Sequence, residues 1–217
     1  MNKINNIINF YLLATELKEK IRSGWILIGI EKERLESVAE HIYGCLILAI
    51  AINSEYKLDI DMYKVLKMLT LHELEEIIMG DLTIRSNVTK EEKKELGKKY
   101  VHEVVKDLCE AKEIEALLDE FNDYKTNESK FCYHIDKLEC DFQAKVYDLQ
   151  GAFSIENART DLEYYGKEAE RIEKVSKTAS DYWIEYHKPI FDADEIFKKL
   201  INTMQERTTL KIESQDE

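Results

Sequence analysis

Proline is almost missing from this chain: one residue in 217, with only seven glycines. Folds with many short strands need both residues at their turns, so a helical protein is expected instead. Long apolar runs are also missing. The most apolar region, Ile42 to Ile52, is too short to span a bilayer. The first ten residues lack a basic stretch followed by an apolar core. No two of the four cysteines, Cys45, Cys109, Cys132 and Cys140, make a Cys-x-x-Cys pair. Reduced thiols in a cytoplasmic protein are therefore expected, with no membrane association. Basic charge is in deficit as well: 31 Lys and Arg against 44 Asp and Glu give a formal net charge of -13. That argues against nucleic-acid binding, which needs a basic surface. Neither a glycine-rich phosphate loop nor a nucleophile-elbow motif is present.

What the chain does have is helical periodicity. Residues 4–21 carry Ile4, Ile7, Ile8, Tyr11 and Leu12 at three-and-four spacing. Gly24 is a plausible stop, followed by a loop with a short extended piece over residues 25–30. Ser37 and Glu40 fit a capping box. It opens a helix to about Asn53 that is apolar on nearly all sides, hence expected at the centre of the core. Asp59 or Asp61 caps the next helix, which is expected to run through the His72 cluster to Gly80. Residues 81–88 read as a loop, and Thr89 with Glu92 repeats the capping box. Residues 89–125 form an exposed helical region with one apolar stripe, Leu96, Tyr100, Val104 and Leu108. A further helix from Glu128 carries Phe131, Ile135, Leu138, Phe142 and Val146, and Gly151 ends it. Residues 157–204 read as a helical pair docked by Trp183, Tyr186 and Phe191, with a polar tail over residues 205–217. No repeat or domain boundary is evident, so one domain is expected, with its core over about residues 10–150.

The densest chemistry lies from His72 to Asp81, with one histidine and four carboxylates beside an apolar run. Carboxylates buried beside apolar residues need a compensating cation. His41 lies early in one helix and Asp136 on another. Two imidazoles and two carboxylates suit a divalent transition metal such as Mn, Co, Fe, Ni or Zn. The adjacent pair His72-Glu73 is a difficulty. Neighbours on a helix diverge by about 100°, so both reach one ion only at a helix end or through long side chains. His102, His134 and His187 read as structural or surface residues.

Five stretches occur in a particular order over roughly residues 10–150: Arg22-Ser23-Gly24-Trp25, Glu36 through His41, His72 through Glu76, Gly80-Asp81-Leu82-Thr83, and Asp136-Lys137-Leu138-Glu139. Together they resemble the HD-domain metal-dependent phosphohydrolases, an all-α helical-bundle superfamily, and within it the 5'-deoxynucleotidase branch. Beyond residue 150 the likeness is loose, through Trp183 and Tyr186-His187-Lys188-Pro189. The family carries His-Asp where this chain has His72-Glu73. Glutamate keeps the charge and the ligating oxygens and adds a methylene.

The resemblance implies hydrolysis of a nucleoside 5'-monophosphate, in its deoxy form, to nucleoside and phosphate. It implies a divalent metal on His41, His72, Glu73 and Asp136, with His72 and Asp136 also facing the substrate. Glu76 would move a proton, to the leaving oxygen or from the attacking water. Arg22 would grip the phosphate, Trp25 would line the nucleotide pocket, and Asp81 and Thr83 would contact sugar or phosphate. The expected partners are a small nucleotide and a second copy of the chain. Two alternatives stand beside this reading. One is an HD hydrolase acting on a nucleoside triphosphate, a cyclic dinucleotide or an alarmone. The other is a helical protein that binds nucleotide or metal without turnover.

Overall fold

The structure, a computed structural model, describes residues 2–212, with the side chain of residue 90 left aside. The last five residues of the expected polar tail lie outside the described range. Twelve α-helices are found among the described residues, and their one β pairing is an isolated antiparallel bridge between Ile21 and Ser37. No helix among the described residues is long and apolar enough to cross a membrane. The chain forms two compact units. The first comprises residues 2–26 and Leu35–Asp136; the second comprises Leu27–Arg34 and residues 137–212.

In the first unit, α1 (Lys3–Thr15) is followed by a 3-10 turn, Glu16–Lys18, so the first helix is shorter than its periodicity suggests. No residue of α1 is buried. Its stripe of Ile4, Ile7, Ile8, Tyr11 and Leu12 is largely exposed, and Phe10 and Leu13 are what it packs inward. Gly24 does not stop a helix. It lies inside α2 (Ser23–Leu27), which also replaces the expected extended piece. The reason is a contact from far along the chain: the Asp81 carboxylate accepts the Ser23 backbone N–H and caps this short helix.

The capping box of α3 (Val38–Tyr56) is present: Glu40 N–H donates to the Ser37 hydroxyl at 3.3 Å, and Ser37 N–H donates to the Glu40 carboxylate at 2.9 Å. The expectation that α3 is buried all round is wrong. Val38, His41, Cys45, Ala49 and Ile52 are buried, whereas Tyr43, Ile47 and Ile50 on the opposite face are exposed. Asp61, rather than Asp59, caps α4 (Met62–Leu71) through the Lys64 N–H.

The helix does not continue to Gly80. It ends at Leu71, turns over residues 72–75, and resumes as α5 (Glu76–Met79). Gly80 then takes φ 77°, ψ 166°, a backbone conformation essentially confined to glycine. No atom lies where a Cβ would be added at this position, so any cost of substitution there is backbone strain. Gly80→Ala is expected to lose about 1–3 kcal/mol. Thermal denaturation of the variant checks this, the expected result being a lower midpoint.

Thr89 and Glu92 cap α6 (Lys90–Val105), and α7 (Ala111–Asp123) follows as a separate helix. Their buried side chains are Val101, Val104, Val105, Ile114, Leu118 and Phe121, while Leu96, Tyr100 and Leu108 are half-buried. With Leu17, Val38, Leu74 and Ile77, most of these form one apolar cluster that carries the first unit. The boundary between the units falls within α8 (Asn127–Leu149). Phe131, Ile135 and Leu138 are buried on it, and Gly151 follows it at φ 70°.

The second unit contains four shorter helices rather than a pair: α9 (Ile155–Arg159), α10 (Ala169–Val175), α11 (Ala179–His187) and α12 (Glu195–Glu206). Phe191 is fully buried and stacks on Phe197 at 5.9 Å; Trp183 and Tyr186 are half-buried. The His187 ring is hydrogen-bonded to buried Asp141 at 2.7 Å, a structural pair.

Candidate metal centre

The break between α4 and α5 removes the difficulty of adjacent ligands. His72 follows the last residue of α4, and Glu73 lies in the turn beyond it. The two side chains are thus released from the 100° divergence of a continuous helix. His72 Nε2 lies 3.5 Å from Glu73 Oε1. His41, fully buried on α3, has its Nε2 3.5 Å from the same oxygen and 3.2 Å from Asp136 Oδ1. One donor atom from each of His41, His72, Glu73 and Asp136 lies within 4.8 Å of all the others. Donors held at about 2.0–2.2 Å from a common ion stand at most about 4.4 Å apart, so small adjustments suffice to share one.

The protonation states fit a metal. The His72 Nδ1–H donates to the Leu69 carbonyl at 2.7 Å, which leaves Nε2 with its lone pair. That Nε2 is buried and has no hydrogen-bond partner among the described residues. Burial depresses the His72 pKa below its usual value, against the pull of Glu73 and Asp136, which favours the neutral form that can bind a metal. Burial works to raise the Glu73 pKa, but His72, Arg22 and His41 outweigh it and hold the carboxyl below its ordinary range. A buried orphan nitrogen and two carboxylates among apolar walls are what a divalent cation would satisfy.

The neighbouring carboxylates divide the protons. Burial and the Glu73 charge push Glu75 up to about 7. Burial, Glu73 and Asp81 raise the Glu76 pKa well above the usual range, and its Oε2 is buried with no hydrogen-bond partner among the described residues. The surroundings thus favour the charged form of Glu73 and the protonated form of Glu76.

The remaining expected site residues separate into two groups. Arg22 reaches the cluster: its Nη1 is 3.3 Å from Glu73 Oε1. Asp81 is tied to the start of α2 through Ser23. Trp25 is 1% exposed, and its indole N–H donates to Glu36 Oε2 at 2.8 Å. Thr83 makes turn contacts, its hydroxyl accepting the Arg85 N–H and its N–H donating to Ser86. His102 lies on the surface, bonded to Glu115.

Two residues near the centre received no role from the sequence. Glu36 is the acceptor for the Trp25 indole, and its burial could not be read locally. Cys45 Sγ lies 3.6 Å from His41 Nε2, and with the two imidazoles it forms a second close donor group. The signal was available, since Cys45 is four residues after His41 and so shares its helix face.

Comparisons with known proteins agree with this geometry. A family model described as HD domain matches residues 14–180. A 5'-deoxynucleotidase of Dictyostelium discoideum is 33% identical over 154 residues, covering 68% of this chain and 80% of that protein. One from Schizosaccharomyces pombe is 32% identical over 168 residues, covering 75% and 81%. Among solved structures, a conserved hypothetical protein from Pyrococcus furiosus superposes with a TM-score of 0.66 at 25% identity, over 92% of this chain and 99% of that one. A predicted metal-dependent phosphohydrolase from Magnetospirillum magnetotacticum shares the fold, with a TM-score of 0.56 at 18% identity, over 87% and 92%. With the family match spanning most of its length and the two histidines and two carboxylates converging in its first unit, the chain belongs to the HD-domain family.

Proposed function

We propose that this protein hydrolyses 2'-deoxynucleoside 5'-monophosphates to the nucleoside and phosphate, using a divalent metal held by His41, His72, Glu73 and Asp136. The observation that carries the reading is the convergence of four buried donor atoms within 4.8 Å. The substrate class rests on the 5'-deoxynucleotidases to which the chain is similar. When bound, a divalent ion supplies a water of lowered pKa and polarisation of a phosphoryl oxygen.

The chain's own residues do the rest. Glu76, protonated by its surroundings, donates a proton to the leaving 5' oxygen. Arg22 turns its planar donor fork to the phosphate while holding Glu73 charged. His72 and Asp136 face the substrate as well as the metal. Asp81 and Thr83, on the segment after Gly80, contact sugar or phosphate. Trp25 acts on the nucleotide pocket by keeping the Arg22 segment in place.

The single-domain expectation belongs to this reading, supported by a family match that runs through both units. So does a cytoplasmic location, which agrees with four cysteines that form no disulfide. A homodimer, and the absence of nucleic-acid or membrane binding in a chain of net charge -13, complete it.

The test is phosphate release from a panel of deoxy- and ribonucleoside monophosphates, nucleoside triphosphates, a cyclic dinucleotide and an alarmone. Apo protein would be loaded in turn with Mn, Co, Zn, Fe and Ni. Release confined to monophosphates, with the deoxy forms ahead, is expected. Preference for another class would replace the substrate assignment. Nucleotide binding without release from any compound would replace the enzyme with a binding protein.

A further inference from the structure

Cys45 stands just outside the four-donor group. It is fully buried on α3, four residues after His41 and so on the same helix face. Its Sγ lies 3.6 Å from His41 Nε2. An ion held tetrahedrally by a thiolate at about 2.3 Å and an imidazole at about 2.0–2.1 Å sets sulfur and nitrogen about 3.6 Å apart. His72 supplies a third donor. Its Nε2 is buried with no hydrogen-bond partner among the described residues. His41, Cys45 and His72 form a group whose donor atoms all lie within 4.8 Å of one another. The same two histidines form the other group with Glu73 and Asp136. Two donor sets thus share their imidazoles, and they differ in what completes them: a soft sulfur in one, hard carboxylate oxygens in the other. Soft thiolate favours Zn and similar ions, whereas carboxylate suits Mn.

We propose that Cys45 gives this centre a second binding mode, in which a thiophilic divalent ion such as Zn or Cd is held by His41, Cys45 and His72 and competes with the carboxylate mode for the same two imidazoles. This mode rests on the metal-centre reading above and is independent of the substrate. A cysteine that only fills space on a helix behaves as a small apolar side chain and needs no imidazole beside it. A thiol donating to His41 accounts for the 3.6 Å contact while the ring keeps its lone pair. That contact lapses once an ion takes the lone pair, and the sulfur then stands beside a bound cation. A thiophilic ion turns this neighbour into a ligand. The S–H bond breaks, the proton passes to solvent, and the sulfur lone pair forms the bond to the metal. Because both modes use His41 and His72, one chain holds one ion at a time.

Cadmium binding by the full chain tests the proposal, in a Cys109→Ser parent that lacks the exposed thiol. Cd titrated into apo protein reports sulfur ligation by an ultraviolet thiolate-to-cadmium charge-transfer band. The band is expected to saturate at one equivalent per chain, to persist in Asp136→Asn, and to be lost in Cys45→Ser and His72→Ala. Displacement of bound Mn, read from the electron paramagnetic resonance of free Mn, is expected to need at least about tenfold more Cd in Cys45→Ser than in the parent. Cd bound without the band, or an equal band in Cys45→Ser, would overturn the proposal and leave the metal centre standing. Failure of the parent to bind either Cd or Mn would overturn both. Where Cys45→Ser loses its helical circular dichroism, X-ray absorption at the cadmium edge of the parent reads the ligation directly: a sulfur neighbour supports the second mode, and nitrogen and oxygen neighbours alone overturn it.

Discussion

Replacing His72 by Ala is expected to weaken divalent-metal binding by at least about a hundredfold and to reduce phosphate release to background. Disturbing a residue that only orients a metal ligand costs roughly 10–100-fold in affinity or activity, and His72 is proposed as a ligand itself. Its Nδ1–H is engaged by the Leu69 carbonyl, and its Nε2 is the buried atom without a hydrogen-bond partner among the described residues. Alanine would leave Glu73 and Asp136 with one imidazole between them. The same substitution gives a stability test of the opposite sign. Without metal, the wild type buries an unsatisfied nitrogen beside two carboxylates, an arrangement that costs free energy. Wild-type protein is therefore expected to gain thermal stability when Mn, Co or Zn is added, by mass action. His72→Ala is expected to gain little. Calorimetric metal titration and thermal denaturation with and without metal read both effects. A variant that binds and responds like wild type would remove His72 from the centre.

Glu76→Gln is expected to lower turnover by roughly 10²–10⁴, the usual contribution of a positioned acid or base, while metal affinity stays close to wild type. Glu76 differs from the ligands in two ways: it lies outside the four-residue donor group, and burial, Glu73 and Asp81 push its pKa well above the usual 4.5. The sign of the pH dependence follows. A carboxyl raised in the folded state keeps its proton to higher pH than usual and ionises as pH rises through its folded value. The wild-type rate is expected to fall along that limb, and Glu76→Gln is expected to show a low rate without it. Stability follows the same sign. The folded protein holds this proton more tightly than the unfolded chain, so the contribution of Glu76 to stability falls as pH rises above 4.5 and through the folded value. Gln does not titrate, so the variant lacks this loss. A pH–rate profile and pH-dependent unfolding of both proteins check the two expectations. An unchanged turnover in Glu76→Gln would remove it from proton transfer.

Much of this arrangement was legible because its determinants are local. Ser37 with Glu40 and Thr89 with Glu92 are capping boxes that three-residue spacing reveals, and both form. Asp61 caps its own helix in the same local way. His41, His72, Glu73 and Asp136 were found by residue type and order, and the fold brings their donor atoms together. What escaped depended on distant parts of the chain. Gly24 resembles a helix stop until Asp81, far along the sequence, accepts the Ser23 N–H and starts a helix around it. The end of α4 at Leu71 was hidden because the apolar period continues past it through Leu74 and Ile77. Periodicity marks which residues turn inward and says little of whether the backbone between them is one helix or two. The burial of Trp25 and the bond from its indole to Glu36 were not visible in the local spacing. The outer face of α3 read as core, yet Tyr43, Ile47 and Ile50 are exposed; an apolar pattern does not say what a face packs against.

The central claim is that the four-residue cluster is a single divalent-metal centre that runs the hydrolysis. Its most direct test is phosphate release from a deoxynucleoside monophosphate by apo protein titrated with metal. The account predicts no release before metal, a rise that breaks at one equivalent per chain, and no rise in His72→Ala. Full release by protein kept in excess chelator, or a rise that is the same in wild type and His72→Ala, would contradict it.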